Sequence, residues 1–504
     1  MPLENAQGRH EREEKSSLQY RENAEAVKDS KELGYQPISS SLPHIAGHPY
    51  DLVPAMPTIR ILETFYHHIV SEHGPLFLTV FKEGDKCINI SLQNHIRSIY
   101  KSSVFIFFIS TTPMDNNNSP EIFHAQARQA LTTLWRDVSP DSIQLSHVCG
   151  GANNRIIGVT RPSTRGDAQK PDRFVVRVPN IDVGFRETVA AFLFADRYTK
   201  LTTPSTIHFD LGDRNPFGQP YLVQNRLPGT PAADVPFWRD HRRKLRFWSD
   251  YGAVFRELLQ VHSKIIGVCD FSIVGTGVPR VDSRVGVREY GTRTVSRHVP
   301  LPSVMPSSTT AIRDYLLRNY RTSKTTLATL ANRLCRPCQP IRLAHVEAFT
   351  TLIHEAHNDG LFDGMPVTMR HVDLWPSNVL VAEDGSITGV LDWDEARLEP
   401  AFTACDPPEL YWTRGMNFCD QNSQAQCEDL KRAFFDSAGA EFCRFAHDEA
   451  YELLRRIAGF TPVYWCRCDE SRWHYDMDEI IRDWNDIRLK RVGRPSEVKV
   501  VVTQ

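Results

Sequence analysis

Met369-Arg-His-Val-Asp-Leu-Trp-Pro-Ser-Asn-Val-Leu-Val381, followed by Gly385 and by Thr388-Gly-Val-Leu-Asp-Trp-Asp394, is the stretch on which the reading of this chain turns. Its polar positions reduce to His371-x-Asp373, Asn378 five residues on, and Asp392 at the end of an apolar run. The intervening Ala382-Glu-Asp-Gly385 predicts a hairpin turn between two short strands. Two carboxylates and an amide therefore stand at strand–loop junctions, where they can converge on one point. Carboxylate and amide oxygens are hard ligands suited to Mg2+, which keeps several waters and bridges phosphate oxygens. A phosphoryl-transfer site needs that metal, a carboxylate to accept a hydroxyl proton, and a cover over the phosphates.

Upstream, a small sheet is legible. Ile143-Gln-Leu-Ser-His-Val148 alternates like a strand and runs into Cys149-Gly-Gly-Ala-Asn-Asn154. Ile156-Ile-Gly-Val159 follows, so the pair predicts a hairpin with a glycine-rich tip. Phe174-Val-Val-Arg-Val178 is β-branched and ends at Pro179. Residues 186–195 have helical spacing, and 220–228 form a further strand leading into Gly229. This order predicts a small antiparallel sheet with one packed helix. Beyond Gly229 the chain turns helical: Leu245, Trp248, Phe255, Leu258, Leu259 and His262 can share one face of a long helix. Residues 343–357 and long parts of 426–491 are helical too, whereas 273–310, rich in Gly, Pro, Ser and Arg, reads as an irregular insertion. The expected organisation is a polar, disordered tail over 1–55, an extension without motif over 56–140, a small lobe over 141–228 and a large lobe over 229–495.

The chain has 504 residues, with 59 Lys+Arg against 61 Asp+Glu and a net charge of −2. That balance argues against nucleic acid or an anionic membrane as partner, and no apolar run approaches the ~20 residues of a membrane span. The first 34 residues carry 14 charges, seven of them Glu, which fits neither a secretory signal nor a transit peptide. A cytoplasmic protein is expected, its 11 cysteines scattered thiols rather than a zinc site of Cys335, Cys338, Cys466 and Cys468. No sequence signal sets an oligomeric state.

The motifs resemble those of the aminoglycoside phosphotransferase family, the small-molecule branch of the protein-kinase-like fold. The family's H-x-D-L-x-P-x-N reads here as His371, Asp373, Leu374, Pro376 and Asn378, and its apolar-D-W-[ED] as Val390-Leu-Asp392-Trp393-Asp394. Gly150-Gly151-Ala-Asn153-Asn154-Arg155 resembles its nucleotide loop, Leu222 to Gly229 its hinge, and Leu259-Gln-Val-His262 its helix ending in L-H, with Val261 for the leucine. The resemblance spans roughly 142–491. It implies an α+β, two-lobed protein-kinase-like fold, with an antiparallel β small lobe, a mainly helical large lobe and an N-terminal extension. It implies ATP and Mg2+ as cofactors and a small-molecule hydroxyl as acceptor.

Carried over residue by residue, Asp373 is the base or hydroxyl-orienting carboxylate, Asn378 and Asp392 are the Mg2+ ligands, and His371 braces the loop. Gly150, Gly151, Asn153 and Asn154 bind the nucleotide, glycine permitting close backbone approach to the phosphates. Arg177 stands where the fold usually has a lysine and Glu187 where a helix glutamate pairs with it, so both count among the cofactor-binding residues. A partly buried Arg177–Glu187 ion pair that positions the guanidinium for the α- and β-phosphates is expected. Trp375 and Trp393 read as packing residues, and Asp394 and Glu395 as solvated. Asp392-Trp-Asp departs from D-F-G and no A-P-E follows, so a regulated activation loop is not expected. Two other readings are a nucleotide-binding pseudoenzyme, in which Arg177 or a misplaced glycine loop has cost turnover, and an interaction scaffold built on a kinase-like domain.

Overall fold

The computed structural model describes residues 119–498, apart from 149–153, 164–170, 181–183, 236–239, 272–278, 291, 293–294, 298–307, 330–337, 409–422 and 460–469. The expected tail, the extension up to residue 118, the tip with Gly150, Gly151 and Asn153, and Cys335, Cys466 and Cys468 lie outside the described residues.

Apolar alternation builds the small lobe. Strands β1 (Gln144–His147), β2 (Asn154–Arg161), β3 (Asp172–Pro179), β4 (Thr206–Asp210) and β5 (Tyr221–Asn225) form an antiparallel sheet in the order β1-β2-β3-β5-β4. Ile157, Val159, Val176, Val178 and Val223 are buried, the β-branched side chains a pleated surface packs well. What covers them is helix α1 (Pro120–Leu134), started by the Ser119 hydroxyl, which accepts from the Ile122 N–H, and by Pro120 at its first position. Phe123, Ala127, Ala130 and Leu131 lie at i, i+4, i+7 and i+8, and with Trp135 they form one core with the sheet. Helix α1 thus belongs physically to the small lobe, although its residues fall in the stretch read as a motif-free extension.

Helix α2 (Phe185–Tyr198) follows β3, but its buried residues Phe185, Val189 and Phe192 pack into a second, larger core. That core is built on α3 (His241–Leu259) and on an antiparallel six-stranded sheet, β10-β9-β8-β14-β11-β7. Its strands are β7 (His262–Ser263), β8 (Gly267–Phe271), β9 (Val285–Glu289), β10 (Val295–Arg297), β11 (Val367–Arg370) and β14 (Arg397–Pro400). A three-stranded sheet, β13-β12-β6, joins β6 (Thr230–Pro231), β12 (Val379–Val381) and β13 (Ile387–Val390). The expected irregular insertion is in part sheet: β9 and β10 lie inside 273–310, and Val285 and Val287 are buried.

The remaining helices are α4 (Thr309–Thr329), α5 (Cys338–Asn358), α6 (Ala401–Ala404), α7 (Gln424–Ala446), α8 (Glu449–Ala458) and α9 (Glu470–Val492). Helix α7 starts at a capping box in which Ser423 and Gln426 satisfy each other's backbone N–H groups. It packs so closely on α3 that a Cβ on Gly252 would meet the Phe434 carbonyl oxygen and lie 2.9 Å from the Ala438 nitrogen. The architecture is α+β and two-lobed in the protein-kinase-like manner. Among the described residues no helix is long and apolar enough to cross a membrane, and Cys269, Cys405, Cys427 and Cys443 are free thiols.

Candidate active site

Strand β11 pairs with β14 from Val367 opposite Pro400 to Arg370 opposite Arg397. The chain then leaves the sheet as a loop that closes in the 3-10 turn Pro376–Asn378. His371, buried beneath it, bonds through Nε2 to the Leu391 carbonyl at 2.8 Å, and its ring centroid lies 4.8 Å from that of Trp393. Burial lowers the His371 pKa against the opposing pull of that carbonyl, so a neutral ring with the proton on Nε2 fits the bond. The Leu391 N–H in turn donates to the Asn378 carbonyl at 2.8 Å, and the buried Trp393 indole donates to Val390 O. These bonds lace the 371–378 loop to the 391–396 turn.

Asn378 ties its own loop together. Its Nδ2 donates to the Asp373 carbonyl at 2.8 Å and to Asp373 Oδ2 at 2.9 Å, while the Tyr251 hydroxyl donates to Leu374 O. Asp373 reaches solvent, yet desolvation of its carboxyl and then the nearby Asp392 raise its pKa, opposed by its bonds to Asn378 and Trp375. Asp392 has φ 59 and Glu395 φ 62, the left-handed region that side-chain-bearing residues occupy at a cost of about 1–3 kcal/mol. Two such residues in four mark the turn as held by its surroundings.

Arg177 corrects the expectation. It is buried on β3, and its Nη2 lies 3.0 Å from Asp392 Oδ1 and 3.0 Å from Asp394 Oδ1. Burial lowers the guanidinium pKa, but Asp394 and Asp392 outweigh it and the net shift is upward. Glu187 pairs instead with Arg288 Nη2 of β9 at 2.5 Å. Arg288 Nε reaches the buried Asp270 at 2.7 Å, which also takes Arg186 Nε at 2.8 Å. Two carboxylates attract one guanidinium more strongly than a single glutamate does, and the sheet read as an insertion supplies Glu187 with its own arginine. Asp394, expected to be solvated, is a half-buried anchor, its side chain 22% exposed, that also accepts from Asn154 Nδ2 at 3.2 Å. The repeated carboxylate of Asp392-Trp-Asp394 was the signal for it.

A metal's fit is tested by which oxygens are already spent. Asp394 uses both on Arg177 and Asn154. Among the described residues, neither Asn378 Oδ1 nor Asp392 Oδ2 accepts a hydrogen bond. No described group of three or more His, Cys, Asp or Glu could hold a metal by itself. A carboxylate and an amide oxygen with the remainder left to water and phosphate suit Mg2+, so the donor set fits.

The profile of the phosphotransferase enzyme family matches residues 150–443. No curated protein sequence matches the chain. Among solved structures it is similar to the ADP-bound aminoglycoside phosphotransferase APH(2'')-Ib at 11% identity and a TM-score of 0.38, covering 72% of this chain and 97% of that one. It is similar to APH(2'')-IIa in its ternary complex with streptomycin and ATP at 12% identity and a TM-score of 0.37, covering 72% and 96%. A choline kinase from Cryptosporidium parvum is similar at 12% identity and a TM-score of 0.38, covering 74% and 97%.

Proposed function

The chain belongs to the phosphotransferase enzyme family, and on that footing we propose that it moves the γ-phosphoryl group of ATP to a hydroxyl of a small molecule, with Mg2+ as the metal. The observation that supports this reading best is the lacing of the 371–378 loop to the 391–396 turn, which brings Asp373, Asn378 and Asp392 to neighbouring junctions. In this reading Asp373 orients the acceptor hydroxyl and takes its proton as the new O–P bond forms and ADP departs; its raised pKa suits a base. Asn378 and Asp392 would hold Mg2+, which when bound offsets charge on the transferring phosphoryl group. Gly150, Gly151, Asn153 and Asn154 bind the nucleotide in this proposal, and Arg177 supplies a fixed positive charge beside Asp392.

A screen for transfer of labelled phosphate from ATP to hydroxyl-bearing metabolites tests the proposal. Asp373→Asn should lower kcat by roughly 10²–10⁴ and leave ATP binding nearly unchanged; unaltered turnover in a folded Asn variant sinks the assignment. One observation favours a second reading, the nucleotide-binding pseudoenzyme: the Arg177 guanidinium already engages Asp392, the proposed metal ligand. ATP binding without transfer or hydrolysis across the screen selects that reading.

A further inference from the structure

The end of the large-lobe sheet that feeds the 371–378 loop carries two arginines side by side, Arg370 and Arg397. Arg370 lies three residues before Asp373 and Arg397 three after Asp394, so each backbone sits within about 11 Å of the corresponding aspartate's backbone. Between the arginines is Glu399, fully buried. Its carboxylate accepts from Arg370 Nη1 at 2.8 Å, from Thr403 Oγ1 at 3.1 Å and from the Tyr315 hydroxyl. Arg397 Nε lies 2.8 Å from the same carboxylate, at an angle that makes no hydrogen bond. A third guanidinium, Arg318 of α4, lies 3.8 Å over the Tyr290 ring, which stacks on Tyr315.

Arg370 and Arg397 therefore share one carboxylate, and among the described residues neither pairs with a second, while Arg318 over the Tyr290 ring forms no ion pair. The side chains of Arg370 and Arg397 are each 30% exposed. Arg397 Nε is buried without a hydrogen-bond partner, and the Tyr290 hydroxyl is buried against the Arg397 guanidinium. The sequence has the same bias: residues 290–346 hold nine Arg or Lys and one acid, Asp314, in a chain of net charge −2. Gathering cations against a single saturated carboxylate is unfavourable unless an anion completes the set. Guanidinium forks match carboxylates and phosphates in two-point fashion, and the same field repels a polycation.

We propose that Arg370, Arg397 and Arg318, with the Tyr290 hydroxyl, form an anion-binding subsite for the acceptor, which bears a carboxylate or a phosphate monoester besides the hydroxyl that is phosphorylated. This inference rests on the phosphotransferase reading and narrows it. Its test has two arms, both on the full chain. In the first, inorganic phosphate is titrated calorimetrically with the nucleotide site filled by ADP and Mg2+. Binding should weaken about tenfold or more in Arg318→Gln and in Arg370→Gln, and persist in Asp373→Asn. Arg318→Gln breaks no ion pair, so it stays informative if loss of a Glu399 partner unfolds the other variant.

In the second arm, transfer from labelled ATP is measured to hydroxy acids and their amides, to sugar phosphates and the parent sugars, and to polyamino sugars. Transfer should be confined to the anionic members, the two acid series telling carboxylate from phosphate recognition. Arg318→Gln should raise KM for the preferred acid about tenfold with kcat little changed. Phosphate binding unchanged in both arginine variants, or equal transfer to acids and their neutral partners, overturns the subsite. Binding lost in both variants with no transfer to any acceptor overturns the phosphotransferase reading instead.

Discussion

Arg177 offers the sharpest physical test. All its ion-pair contacts run through one nitrogen, Nη2, which lies 3.0 Å from Asp392 Oδ1 and 3.0 Å from Asp394 Oδ1. Its Nε is buried without a partner. At an effective dielectric of about 20, each contact is worth about 5 kcal/mol gross, most of it offset by desolvation of three charged groups. Truncation removes the attraction but leaves the carboxylates in place, which for buried pairs costs about 3–5 kcal/mol. Asp392 is 38% exposed on its side chain, and solvent screening discounts its half, so Arg177→Met should lose about 3 kcal/mol.

Lysine offers the same kind of single nitrogen and lacks the unpartnered Nε–H, whose burial costs about 1–3 kcal/mol. Its compact ammonium is harder to desolvate. The two effects oppose, and Arg177→Lys should stay within about 1 kcal/mol of the parent protein. Urea unfolding followed by tryptophan fluorescence reads both variants. Equal large losses in Met and Lys would show that the planar fork is essential and refute this reasoning. No loss in either would show that the bridge contributes nothing.

Asp392→Ala should weaken Mg·ATP binding more than Asn378→Ala, since it removes an anion rather than a neutral dipole; calorimetric titration ranks them, and the reverse order contradicts the ligand assignment. For Glu399, burial alone would raise the pKa, but Arg397 and Arg370 hold it at about 2 against an ordinary 4.5. As pH falls, the unfolded chain takes up this proton first. The carboxylate's contribution of about 3 kcal/mol is therefore complete above roughly pH 5 and lost as pH falls from about 4.5 towards 2. The parent urea midpoint should fall more steeply there than that of Glu399→Gln, and parallel curves would refute the assignment. Gly252→Ala forces a Cβ onto the α7 backbone and should cost about 2–3 kcal/mol in the same unfolding assay; a neutral result would mean that the helices separate freely.

What could be read from sequence was what short-range pattern decides. The strand expected at 174–178 lies inside β3, and the hairpin on either side of the glycine-rich turn is β1 and β2, because alternation and β-branching act residue by residue. Asp373 and Asn378 are likewise five residues apart and bonded within one loop. Long-range pairing was not legible. Strand β9 is five residues with Arg288 and Glu289 at its end, and only its pairing with β8 and β10 makes it a strand. Helix α1 has an alanine-rich stripe, weak until the sheet buries it. The family resemblance paired Arg177 with Glu187, yet each found its counter-ion more than a hundred residues away.

Helix α2 sits in the larger core, tied there further by Arg186, Asp270, Arg288 and Glu187, while the small sheet and α1 keep a core of their own. The sheet's buried contributions to the larger core are Phe209 and Leu222, and its polar reach across the cleft is Arg177 and Asn154 on Asp392 and Asp394. The mechanical seam of the molecule therefore runs between α2 and the strand that precedes it. In the proposed reading a nucleotide would enter between the sheet with α1 and the larger core that keeps α2. The contacts of Arg177 and Asn154 across that seam are charged or polar, and little apolar surface is buried beside them. Separation of the two parts would then respond to ionic strength more than to hydrophobic adhesion.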